Sequence, residues 1–189
     1  DLTRLAFVHK RTLGGNPDAQ TKAQFSVEAT ERGVRLVRWL LNSLPPPTYV
    51  AAVGFSGRVD RWMEFEFVAP GVVCQFTGAL NVGEGAYERG NRHGGFALRI
   101  FHGVTPETPD SCFYFWSGAH GYRQNEPAVT DQLFEALSRT FGEDVEILEA
   151  QHLSVSARPT PLFSTSHDRA RVIAERTLEK LLASEAGAR

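Results

Sequence analysis

The sequence predicts an α+β domain in which a curved antiparallel β-sheet grips one long helix, with further helices at the N- and C-terminal ends. Between Gln24 and Ala119, apolar and polar residues alternate in short runs bounded by turn residues, the period of half-buried strands. From Val129 to Gln151 the period lengthens to that of a helix. The turns between runs are short, which favours antiparallel pairing of neighbours.

A chain of 189 residues is the size of one domain with a real core, so residues 1–189 are read as a single unit. Hydrophobic residues at 42% and charged residues at 22% match a soluble globular protein. The net charge is −2 with Lys and Arg scattered, which argues against nucleic acid or an anionic membrane as partner. No run reaches the length of a membrane span and no signal-peptide pattern opens the chain; a cytoplasmic location is expected from reduced cysteines. Cys74 and Cys112 stand far apart in strand-like runs, with no CxxC pair or Cys/His cluster. They are expected to be buried and reduced, not zinc or iron–sulfur ligands.

In order, residues 1–13 read as a helix that the Gly14-Gly15-Asn16-Pro17 cluster ends. Gln24–Ala29 and Val34–Leu41 flank a Gly-bearing turn and form a hairpin. Pro45-Pro46-Pro47 is a stiff connector. Strands follow at Arg61–Val68, Val72–Val82, Phe96–Val104 and Ser111–Ala119, with the turn-rich segment Gly83–Gly95 between the middle two. Pro127 suits a first helical position, and the long helix after it is expected to bend at Gly142. Leu153–Phe163 reads as extended, and Asp168–Glu185 as a closing helix preceded by Ser166 or His167.

Asp144 is the sharpest chemical signal. At about 100° per residue, Leu133, Leu137, Phe141 and Leu148 fall within about 60° of it, the centre of the apolar stripe. The acids Asp131, Glu135, Glu146 and Glu149 point to the opposite half. A carboxylate in such a stripe is costly without a cation, hydrogen-bond donors or a metal. A buried salt bridge, or a kink that turns it outward, would serve as well as a metal. His9 shares a helix face with Leu2, Leu5, Ala6 and Leu13 and by itself reads as a hydrogen-bonded core histidine. Asp1 by itself reads as an acid complementing a helix dipole.

The stretch DLTRLAFVH (Asp1–His9) resembles the helical Asp-x-x-His-x-x-x-x-His iron motif of the catalytic domain of Rieske non-haem iron oxygenases. The likeness is greatest to the vanillate O-demethylase and dicamba monooxygenase branch. Val104–Arg123 resembles the family's TPE turn and strand, EDVEILEAQ (Glu143–Gln151) the stretch with its carboxylate ligand, and Asp168–Glu185 its closing helix.

The resemblance implies a helix-grip architecture (Bet v 1 and START-like) and a mononuclear iron site. His9 and Asp144 match ligand positions, and Asp1 matches the acid that bridges the site to a Rieske cluster. Arg4 stands where the first histidine ligand is expected. A guanidinium only donates and stays cationic, so it cannot replace imidazole on iron. Arg4 pairing with Asp144 would put a fixed charge where the metal would sit. None of His93, His102, His120, His152 and His167 matches a ligand position.

The chain has no Cys/His set for a [2Fe-2S] Rieske cluster and opens inside the motif. The Rieske domain is therefore expected upstream in the same polypeptide. The implied activity is O-demethylation or ring hydroxylation of a small aromatic substrate with O2. NADH electrons would arrive through a partner reductase or ferredoxin, in a homotrimer. The competing reading is an iron-free domain holding an apolar molecule, favoured by Arg4. The glycines at Gly83, Gly85, Gly94 and Gly95 do not open a helix, so a phosphate cradle is not expected. Phe65, Phe67, Phe76, Phe113, Phe115 and Trp116 are expected mostly in the core.

Overall fold

The structure is a computed structural model, and it describes residues 23–157 and 164–187. Six strands form one antiparallel sheet in sequence order: β1 (Gln24–Thr30), β2 (Gly33–Ser43), β3 (Val59–Val68), β4 (Val72–Asn81), β5 (Phe96–Thr108) and β6 (Ser111–His120). Tight turns follow β1, β3 and β5, while longer connections, the first of them partly helical, follow β2 and β4; neighbours in the chain are neighbours in the sheet throughout. Register slips between Leu40 and Ser43 on β2 and between Pro106 and Thr108 on β5, bulges of the kind that bend strands. Asn42 has φ 47°, and the Asp60 carboxylate accepts from its backbone N–H at 2.9 Å.

The proline run is more than a connector. It leads into α1 (Pro47–Val53), with proline at the first helical position and Gly54 closing it in the left-handed region. The long helix α2 (Pro127–Ala157) runs unbroken through Gly142 and past Leu153. Residues 153–157 were expected to be extended. No Pro or Gly lies between Gln151 and Ala157, so nothing there stops the helix. The rest of that expected strand, and the expected helix at residues 1–13, lie outside the described residues. A 3-10 turn (Ser166–Asp168) leads into α3 (Arg169–Gly187). Its cap is Thr165, ahead of both expected positions, in a reciprocal capping box with Asp168.

The two faces of the sheet do different work. On the face toward α2, Phe96, Leu98 and Ile100 of β5 join Val59, Ala79, Tyr49 and Tyr122, closed over by Val129, Leu137 and Phe141. Gly118 on β6 lets α2 come close, since a Cβ there would lie 2.9 Å from the Leu137 side chain. On the other face, Trp62 packs with Leu80 and Ala86 under the segment before β5. Arg92 stacks between Trp39 and Trp62 at 4.7 and 4.8 Å and reaches Glu64 at 3.3 Å. α3 lies against β2 and β1.

Three burial expectations are corrected. Cys74 and Cys112 are free but exposed, Cys74 on the strand face opposite to Gln75 and Cys112 on the wall of the cavity. Phe113 and Phe115 are 51% and 59% exposed, on the face of β6 turned away from α2. Leu148 is 60% exposed, since its part of α2 borders an open cavity in place of packed core.

Candidate active site

A half-open cavity of about 2220 Å³ lies between α2 and the sheet. Its floor comes from alternate residues of β5, which the antiparallel pleat turns to one side: Phe96, Leu98, Ile100 and His102. His102 continues an otherwise apolar face, so a titratable ring is carried to the cavity by strand period alone. Tyr114 on β6 lies beside it, the two rings nearly parallel with 6.0 Å between centroids. The His102 Nδ1 and the Tyr114 hydroxyl are 2.7 Å apart, and Nε2 faces the Gln75 Oε1 at 3.4 Å. A neutral imidazole fits this set, with Nε2–H donating to Gln75 and Nδ1 accepting from the phenol.

Phe141 of α2 enters this group edge-on. Its ring lies 5.3 Å from His102, 6.1 Å from Tyr114 and 5.1 Å from Trp116. Phe134, two turns earlier on α2, stacks on Trp116 at 5.3 Å. Asp144 follows Phe141 by three residues and so shares its face. It is half-buried and lines the cavity. Its charge is felt at both neighbours. Burial pushes the His102 pKa down while Asp144 opposes the shift. Burial, and then Asp144, push the Tyr114 phenol up to about 12.

Asp144 therefore faces inward, as the apolar stripe requires. Asp1, Arg4 and His9 lie outside the described residues. His152, also on α2, points to the turn after β5, its Nε2 3.5 Å from the Asp110 carboxylate. Sequence reasoning passed over His102 and Tyr114. The signal was there in FALRIFH, where alternation places His102 on the face of Ile100.

Among the described residues, no three His, Cys, Asp or Glu side chains stand together as a metal cluster. The donor set fits iron in part: Asp144 offers a hard oxygen ligand to an open cavity, and the remaining ligands must come from elsewhere.

A curved antiparallel sheet faced by a long helix, with one acid facing an aromatic-lined cavity, defines an α+β domain with a cavity between its two layers. The profile of the vanillate O-demethylase oxygenase C-terminal domain matches residues 1–184, and the chain belongs to that family. This is the Rieske oxygenase C-terminal domain that DLTRLAFVH and EDVEILEAQ resemble.

The chain is 30% identical to a vanillate O-demethylase oxygenase subunit from a Pseudomonas species, over 100% of the chain and 58% of the relative. It is 28% identical to a toluene-4-sulfonate monooxygenase system iron-sulfur subunit from Comamonas testosteroni, over 99% of the chain and 54% of the relative. A crystal structure of dicamba monooxygenase bound to 3,6-dichlorosalicylic acid has the same fold, with a TM-score of 0.84 at 22% identity. That match covers 98% of this chain and 54% of the other. The chain thus spans little more than half the length of these relatives.

Proposed function

We propose that this domain holds a small aromatic compound between α2 and the sheet for oxygenation with O2, by O-demethylation or ring hydroxylation. Asp144 carries the reading: a half-buried carboxylate, beside His102 and Tyr114, opening onto a cavity walled by aromatic rings. Phe141 and Tyr114 line the cavity and offer faces and edges against which an aromatic substrate can stack. Tyr114, whose phenol stays protonated and donates to His102, keeps its oxygen lone pairs as an acceptor for a substrate hydroxyl.

In this reading His9 and Asp144 hold ferrous iron, and Asp1 carries electrons toward it. Iron at that point supplies the dioxygen-activating chemistry. The electrons come from NADH through a partner reductase or ferredoxin and a [2Fe-2S] centre, in a cytoplasmic trimer. The relatives' names, as oxygenase and iron-sulfur subunits, support this assignment. A second reading rests on Arg4, whose charge and donor-only chemistry oppose a metal at its position. The domain would then bind the aromatic compound without iron.

Iron content after anaerobic reconstitution of the chain with ferrous salt separates the two. Near-stoichiometric uptake that Asp144→Ala abolishes supports the iron site. Uptake only after Arg4→His makes the native domain iron-free. No uptake by either protein removes the iron reading.

A further inference from the structure

The end of the cavity away from Asp144 has a chemistry of its own. Arg61 on β3 lines the cavity and is 6% exposed. Its Nε is sealed from solvent without a partner, and no described residue accepts a hydrogen bond from the guanidinium or pairs with it as a carboxylate. A buried guanidinium without an acceptor is costly. The ring of Tyr49 lies 4.8 Å from it, but a ring face draws the charge without engaging the in-plane N–H fork. Thr48, next to Tyr49 in the chain, also lines the cavity, and its Oγ1 is likewise buried and unpartnered. Tyr49 itself is fixed, its hydroxyl 3.0 Å from Thr77 and its ring stacked on Phe96 at 3.7 Å.

The surroundings favour an anion. Arg38 pairs across the ladder with Met63, and Arg61 with Leu40, so the two arginines are diagonal neighbours on one face. Arg38 feels its neighbour: burial first, and then the charge of Arg61, bring its pKa down to about 10. Arg61 also shares a cross-strand row with Ala79 and Phe96. From Phe96 to His102 on β5 is six residues, roughly 20 Å at 3.3 Å per residue. Leu98 and Ile100 floor the space between.

We propose that Arg61, with Thr48, forms an oxyanion subsite that takes the carboxylate or sulfonate of an elongate aromatic ligand. The ligand's apolar body lies along Leu98 and Ile100 toward Asp144. The subsite rests on reading the cavity as the substrate site, and adds an anchor remote from the acid.

The test is calorimetric binding to the full chain of biphenylcarboxylate, biphenylmethanol and acetate. The carboxylate is expected to bind at least about tenfold tighter than the alcohol, with acetate failing to compete. Arg61→Met is expected to cut carboxylate affinity roughly 10- to 100-fold and leave the alcohol unchanged, the range of a charge-assisted pair. Arg61→Lys is expected to restore part of the loss. Thr48→Val, a milder change, is expected to weaken only the carboxylate. Equal binding of acid and alcohol by the wild type overturns the subsite while the aromatic cavity stands. A folded Arg61→Met that binds the acid like wild type does the same, whereas competition by acetate refutes the elongate ligand. Binding of neither biphenyl compound removes the cavity reading and the subsite together.

Discussion

The Nδ1 of His102 lies 2.7 Å from the hydroxyl of Tyr114, and the two belong to adjacent strands two residues out of direct register. His102 faces Trp116 across the ladder, and Tyr114 faces Val104, so the bond runs diagonally along the cavity floor. Phe141 sits edge-on against both rings, so this β5–β6 pair meets the stretch of α2 that presents Asp144.

The bond fixes a sign for pH. Burial holds the folded His102 pKa below its ordinary value of 6.5, and Asp144 only partly offsets this. Below pH 6.5 the unfolded chain therefore binds this proton more readily than the fold, and stability rises with pH there. His102 is expected to be neutral at pH 7. Its contribution should destabilise the fold as pH drops from about 6.5 toward the folded value, then level off. Histidine proton NMR, with urea unfolding of wild type and His102→Gln across that window, checks it. A His102 that titrates above 6.5 contradicts the network.

Tyr114 reports on Asp144 from the opposite side. Its phenol is raised to about 12 by burial and then by the carboxylate's charge. Asp144→Asn should lower that value while leaving it above the ordinary tyrosine pKa near 10, because burial is the larger cause. Phenolate absorbance in alkaline titration, with Tyr114→Phe to assign the transition, measures the shift. No change on Asp144→Asn would place the acid too far away to influence the site.

Gly78 is a tight packing point on the sheet's other face. A Cβ there would lie 2.1 Å from the Trp62 ring and 2.5 Å from the backbone oxygen of Phe96. Trp62 is fully buried beneath it. Gly78→Ala is expected to cost about 1–3 kcal/mol, as overpacking does, read as a lower urea midpoint with an unchanged slope. Gly142→Ala on α2 meets open space, so it serves as a control expected to stabilise slightly.

Much of this domain was legible in local pattern. Alternation in RWMEFEFV and FALRIFH, and the switch of period after Pro127, yielded the sheet and the long helix because side-chain burial follows backbone period directly. The inward direction of Asp144 followed from the same rule, since Leu137 and Phe141 fix the helix's rotation.

Failures came where burial depends on what covers a surface. Phe113 and Phe115 have the composition of core residues, yet lie on the face of β6 turned from α2, while Leu148 and Cys112 are exposed because they line the cavity. Period gives a face, but only tertiary packing decides whether that face meets protein or solvent.

The sequence by itself determined the fold class, the family and the acid on the helix stripe, all properties of order along the chain. The opening stretch Asp1–His9 contributes its motif through sequence alone. Only the tertiary structure decided that Asp144 keeps company with His102 and Tyr114, and that Arg61 lies buried at the far end of the same cavity without an acceptor among the described residues. Those relations join strands and helices distant in sequence, and they exist only once the sheet has closed on α2.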